Sequence, residues 1–247
     1  MHMAIRILPA AAGALMLSSA AFADVKAVYH ADGKESSSLA VKGHLVRWTF
    51  HDPRGRQVMV FDNKRKVMTV VDHSRKQVVE MNEDSIKALK QQMKAMREQM
   101  QAQLKNLPPE QRKMIEQRMG VGPTKTKVVA KKGKTDKISG YPCRHYDMQV
   151  NGKSEQQVCV ASLADAGVSA KDYKTLEGMF GFMQKMAESQ SGGVTPFANI
   201  KGLPVQMKEQ RTGRLQTVKS ISKDGLADAL FEVPPYKRVD PFAPRQR

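Results

Sequence analysis

Acidic side chains are in short supply in this chain: 24 Asp and Glu stand against 41 Lys and Arg, a formal charge of +17 over 247 residues. An excess of that size favours anionic neighbours such as lipid head groups or cell-wall polymers, although net charge by itself defines no site. Cysteine is scarcer still. With only Cys143 and Cys159, a disulfide-dense scaffold is excluded, and a chain of this length buries a sizeable core without such staples. Long apolar runs are missing after residue 23, so no later segment is suited to be a transmembrane helix, which needs roughly 20 apolar residues. Catalytic signatures are missing too. Neither Gly-x-Ser-x-Gly nor His-Glu-x-x-His occurs. Gly133-Lys134-Thr135 imitates the end of a phosphate loop, but Val128 holds the place of the required earlier glycine. His51-Asp52 and Asp72-His73 are neighbours in sequence, and neighbouring side chains on an extended segment point apart, so neither is a ready-made dyad. No enzyme and no cofactor are expected.

The N-terminus carries the one apolar run. His2 and Arg6 precede Ile7 to Leu17, and Ser18, Ser19, Ala20 and Ala21-Phe22-Ala23 follow. A positive start, a short apolar stretch and a small-x-small end predict a secretory signal peptide over residues 1–23, with cleavage after Ala23. The expected location is therefore the periplasm, where thiols oxidise and nucleic acid is not an expected partner. No Cys lies near the cleavage point to carry a lipid anchor.

From Val25 to Met81 the pattern is short alternating runs broken by Asp32-Gly33, Lys42-Gly43, Asp52-Pro53-Arg54-Gly55, Asp62-Asn63 and Asp72-His73. Regular short strands with hairpin breaks predict an antiparallel meander or barrel. Asp62 and Asp72 are expected to bond the backbone of their own turns. The period then changes. Ile86, Leu89, Met93, Met96, Met100 and Leu104 recur at three and four, one face of a helix capped by Asp84 or Ser85. Leu107-Pro108-Pro109 stops it, and Pro109 opens a second helix over Glu110 to Met119. A helical insertion, 84–119, thus interrupts a single β-rich domain, 24–240.

Strands resume at Lys125 to Ala130, followed by a basic stretch to Lys137. Cys143 to Gln149 and Lys153 to Val160 flank Val150-Asn151-Gly152. A three-residue loop sets Cys143 opposite Cys159, whereas a two-residue Asn-Gly turn sets it opposite Val160. A further helix spans Ala170 to Glu188 with Tyr173, Leu176, Met179, Phe180 and Met183 on its apolar face. Two last strands, Leu203 to Lys208 and Leu215 to Ile221, precede a helical turn at Leu226 to Leu230 and a disordered tail, 241–247.

The run Ile138-Ser139-Gly140-Tyr141-Pro142-Cys143-Arg144-His145-Tyr146 resembles the central signature of a family of Gram-negative periplasmic proteins carrying a domain of unknown function. Leu107-Pro108-Pro109-Glu110-Gln111-Arg112 and the ending Phe231-Glu232-Val233-Pro234 match it as well, and the resemblance extends from about Tyr29 to Val239. Cys159 departs from it, since many members carry another residue there, often aromatic. The resemblance implies an α+β fold. Its curved, mostly antiparallel sheet would be an incomplete barrel, distantly similar to the LolA/LolB lipoprotein carriers, covered by the helical insertion and one further helix. Those carriers hold acyl chains in the concave face, so an apolar ligand is implied. Fold alone does not fix function.

Two chemistries stay open at the cysteines. In an oxidising compartment Cys143 and Cys159 on neighbouring strands form a structural disulfide. Reduced, they would join His145 in a Cys/His cluster suited to a soft ion such as Cu(I). The 16 methionines also carry two readings, plain packing or an adaptable groove. In the second, Met93, Met96, Met100, Met179, Phe180 and Met183 bind a lipid or hydrophobic peptide beneath the helices. The leading expectation is a non-catalytic carrier of an apolar or amphiphilic ligand. The alternatives are a copper or envelope-stress binding protein and a structural envelope-interaction protein with no ligand.

Overall fold

The structure is a computed structural model, and it describes residues 24–52, 55–105, 108, 111, 128–191 and 200–240. The signal segment, the second helix of the insertion and the C-terminal tail read from the sequence lie outside the described residues. Hairpin follows hairpin through β1 (Val25–Ala31), β2 (Lys34–Lys42), β3 (Leu45–Asp52), β4 (Gly55–Asp62), β5 (Val67–Asp72) and β6 (Gln77–Met81). Helix α1 (Glu83–Lys105) comes next, then β7 (Val128–Ile138), β8 (Tyr141–Val150), β9 (Lys153–Ala161), α2 (Leu163–Ala166) and α3 (Ala170–Ser191). The chain ends through β10 (Leu203–Glu209), β11 (Leu215–Ser222), a 3-10 turn (Asp228–Phe231) and β12 (Lys237–Val239).

The twelve described strands form one unclosed sheet in the order β12-β6-β5-β4-β3-β2-β1-β11-β10-β9-β8-β7. It consists of two meanders, β1 to β6 and β7 to β11, joined where β1 pairs antiparallel with β11. Every pairing is antiparallel except β12 beside β6. This topology has a consequence for the insertion. The chain leaves β6 near one edge of the sheet and resumes at β7 on the opposite edge, so the segment beginning with α1 must connect the two ends of the sheet.

Alternation decides what each face does. In β1, Val25, Ala27 and Tyr29 are buried while Lys26, Val28 and His30 between them are not. The main core gathers Tyr29, Leu39, Val46, Phe61 and Met68 from the first meander and Met148, Val158, Val205 and Val218 from the second. It closes on Leu176, Met179 and Phe182 of α3. Helix α3 comes very close to the β4–β5 turn. A methyl group on Gly178 would sit 2.2 Å from the Asn63 side-chain oxygen, so the helix presents a glycine there. Thr175 Oγ1 adds a hydrogen bond to the Gly43 carbonyl at 2.8 Å.

The β4–β6 corner is buried on both faces. Val58, Val60, Val71 and Val78 form a second apolar cluster under Val233 and Tyr236 of the C-terminal segment. This arrangement accounts for the nearly continuous apolar runs of β4 and β5, as a strand covered on both sides requires.

Local chemistry corrects several sequence expectations. The cap of α1 is Asn82, whose Oδ1 accepts from the Ser85 amide at 2.8 Å, so neither Asp84 nor Ser85 plays that role. The strand expected to end at Ala130 runs on through the basic stretch to Ile138. Helix α2 was not expected. Ser162 caps it by accepting from the Asp165 amide, and Gly167 ends it in the left-handed conformation. The Asn151-Gly152 turn has two residues, both at positive φ (51° and 81°), with Val150 facing Lys153. A bulge between Met148 and Gln149 then shifts the register once more, so Cys143 faces Ala161 and Cys159 faces His145. Neither register weighed from the sequence is the one adopted. The turns at Asp62 and Asp72 form as expected: Asp62 Oδ1 accepts from the Lys64 and Arg65 amides, and Asp72 Oδ1 from the Arg75 amide.

Candidate functional site

The six apolar positions of α1 do not share one environment. Ile86 packs against the main core and Leu104 is buried. Met93 and Met100 are half-buried, and Met96 is 51 % exposed. At about 100° per residue, Ile86, Lys90, Met93, Met100 and Leu104 fall on one side of the helix. The middle of this stripe is therefore apolar side chain that the described residues leave partly uncovered.

Beside its N-terminal half lies an open groove of about 390 Å³, walled by Glu83, Ile86, Lys87 and Lys90 of α1 and by Lys185, Glu188 and Ser189 of α3. Lys185 Nζ bonds Glu83 Oε1 at 2.8 Å across the seam. The hydrogen bond, and then the charge, of that ammonium hold the Glu83 carboxyl below the usual carboxylate range. Three lysines, an isoleucine and the alkyl stems of long side chains make the groove amphiphilic.

The other three sequence candidates lie on α3. Met179 is 1 % exposed and belongs to the core, so it lines no opening. Phe180 and Met183 are partly buried and pack against that core from its edge. Phe180 covers a small apolar crevice of about 20 Å³ with Tyr29, Leu39, Trp48, Pro204 and Met207. Its ring meets Trp48 edge-on at 6.4 Å, and the buried Trp48 Nε1 finds no partner among the described residues. The space under the helical roof is thus nearly filled, and the larger opening is the seam between the two helices. Sequence periodicity found the methionines but missed the groove, because Lys185, which bonds Glu83 across it, comes from a helix about 100 residues away.

Cys143 and Cys159 are bonded to each other, with Cα atoms 5.5 Å apart, and both are buried. The bond runs diagonally between the strands. His145 lies across from Cys159, and its Nε2 meets Asp136 Oδ2 at 3.1 Å. That contact, before any other influence, holds the Asp136 carboxyl below its ordinary range. With both sulfurs in the bond, Cys143, His145 and Cys159 offer an imidazole but no thiolate. No group of three or more His, Cys, Asp or Glu suited to a metal ion forms among the described residues. Gly133-Lys134-Thr135 sits inside strand β7, at the bulge facing Arg144 and His145, and not in a loop ahead of a helix.

The fold and the seam together define a class: a single open sheet, almost wholly antiparallel, accompanied by a few helices and carrying one disulfide. The chain belongs to the family named for a domain of unknown function (DUF4412), whose model matches residues 108–236. No curated protein matches the chain. No described helix is long and apolar enough to cross a membrane.

Proposed function

We propose that the protein is a non-catalytic binding or carrier module of the periplasm that takes up a lipid-like amphiphile along the seam between α1 and α3. The observation that carries this reading is the half-covered methionine stripe of Met93, Met96 and Met100 continuing from a groove of about 390 Å³. That volume falls in the range of small-molecule sites, roughly 300 to 1,000 Å³. Methionine suits the task because its unbranched thioether adapts to varied apolar partners. Acyl carbon would lie along the stripe, and an anionic head group would sit among Lys87, Lys90 and Lys185. Export is supported by the signal pattern of residues 1–23 and by the buried disulfide, a bond that persists in oxidising compartments. The sheet would curve as an incomplete barrel of the LolA kind. The basic exterior would hold the molecule near anionic envelope surfaces.

Native mass spectrometry of the protein recovered from the periplasm tests this reading. The wild type should carry an acyl-containing adduct or gain one from phosphatidylglycerol micelles. Met93→Asp/Met96→Asp should lose it while keeping its melting temperature, since neither side chain belongs to the core. A wild type that neither carries nor acquires lipid would leave a structural envelope protein, the reading favoured by the nearly filled interior beneath α3.

A further inference from the structure

The face of the sheet turned away from α3 holds a second cavity, about 260 Å³, over strands β1 to β4. Its floor is made by short side chains. On β2, Ala40 lies between Lys26 of β1 and Arg47 of β3, and Ser38 lies beside Thr49 of β3. The long side chains on either side therefore rise as walls around a trough. Leu230, from the 3-10 turn, closes one side, while Arg56, His51 and Glu35 stand at the rim.

The charge of this trough is unbalanced. Lys26, Arg47 and Arg56 are cationic, and among the described residues Glu35 is the one carboxylate in the lining. Glu35 is exposed and meets the His51 imidazole at 3.9 Å. Arg47 is the least ordinary member, an arginine only 9 % exposed. Its Nε donates to Thr49 Oγ1 at 3.3 Å and its Nη1 to the Leu230 carbonyl. No carboxylate pairs with it among the described residues. Burial, and then the charge of Arg56, make its protonated form harder to hold than that of an ordinary arginine. A buried cation without a counter-ion is costly, and an anion entering the trough offsets that cost.

We propose that this trough binds a phosphate group. A carboxylate supplies one negative charge, whereas a phosphate monoester supplies about −1.5 to −2, closer to what Lys26, Arg47 and Arg56 present together. Arginine is suited to phosphate because its fork of donors meets two oxygens at once. The group belongs either to a soluble phosphate compound or to a phospholipid head group. The site lies on the opposite face from the α1–α3 seam and stands or falls independently of it.

Calorimetric titration of the full chain with inorganic phosphate, at constant ionic strength, tests the proposal, and flotation with phosphatidylglycerol or phosphatidylcholine vesicles separates the two sources. Saturable one-to-one binding of phosphate is expected if the source is soluble, and retention on phosphatidylglycerol vesicles if it is a head group. Arg56→Gln and Lys26→Gln touch no core contact and should each weaken that binding about tenfold, the equivalent of one charge-assisted hydrogen bond. Arg47→Met should abolish it, and Glu35→Gln should strengthen it. If neither phosphate nor phosphatidylglycerol binds, the proposal is overturned. It is equally overturned if binding occurs and Arg56→Gln and Lys26→Gln leave it unchanged, because general surface charge then explains it.

Discussion

His73 shows how one side chain ties the chain's end to its beginning. Its Nδ1 lies 3.3 Å from the Tyr236 hydroxyl, its ring meets the Tyr236 ring edge-on, and Nε2 is buried without a partner among the described residues. Desolvation first, then the charges of Arg56 and Arg47, push its pKa below the ordinary value, with Asp72 opposing weakly. The unfolded chain, with a histidine pKa of about 6.5, therefore binds more protons than the folded one just below that pH. Stability is complete above about pH 6.5 and falls as the pH drops through the window beneath it. Urea midpoints at pH 8 and pH 5.5 should separate more in the wild type than in His73→Asn. An equal separation would show that His73 does not contribute. Residues whose partners are close in sequence, such as Asp62 and Asp72 in their turns, were legible from the sequence. Arg47 was not, since the carbonyl that holds it belongs to Leu230, 183 positions away.

At the scale of elements, the β8–β9 hairpin was legible in outline and not in register. Asn151-Gly152 announced a turn, but a bulge at Met148 and Gln149 leaves no mark in the residue pattern, and it moves both cysteines by a position. The disulfide forms nonetheless, because diagonal neighbours on paired strands also come within bridging distance. It closes a loop of 16 residues, so reduction, or Cys143→Ser with Cys159→Ser, should lower unfolding stability by about 3 kcal/mol. A urea midpoint unchanged by reduction would contradict this. Gly202 gives a sharper test of the packing between β9 and β10. It adopts φ +138°, and an added methyl would sit 2.3 Å from the Ala161 carbonyl oxygen. Gly202→Ala combines backbone strain with a clash against main chain and should cost about 1 to 3 kcal/mol in thermal unfolding. A melting temperature equal to that of the wild type would mean that the β9–β10 approach is looser than described.

On the scale of the whole molecule, the two meanders depend on the β1–β11 pairing and on the C-terminal segment. The sequence announced the strands individually, but not the order that brings the first beside the eleventh, because pairing across about 190 residues has no local signal. It also hid β12, whose three residues carry no period of their own. Yet β12 covers the edge of β6, Arg238 pairs with Glu80, and Val233 and Tyr236 cover the valines of β4 to β6. Deleting residues 232–247 uncovers both an unpaired edge and an apolar patch, a combination that invites edge-to-edge association. Light scattering should show the truncated chain self-associating at concentrations where the full chain stays monodisperse. Unchanged scattering would assign that protection to another part of the chain.

In the proposed reading, acyl chains lie in the seam between α1 and α3, outside the filled space beneath α3. Photo-crosslinking with a diazirine-bearing phosphatidylglycerol, followed by peptide mapping, measures the place directly. Adducts are expected on residues 83–100 of α1 and on 183–189 of α3, with competition by unlabelled lipid. Adducts spread evenly over the surface, or confined to strands away from both helices, would contradict it.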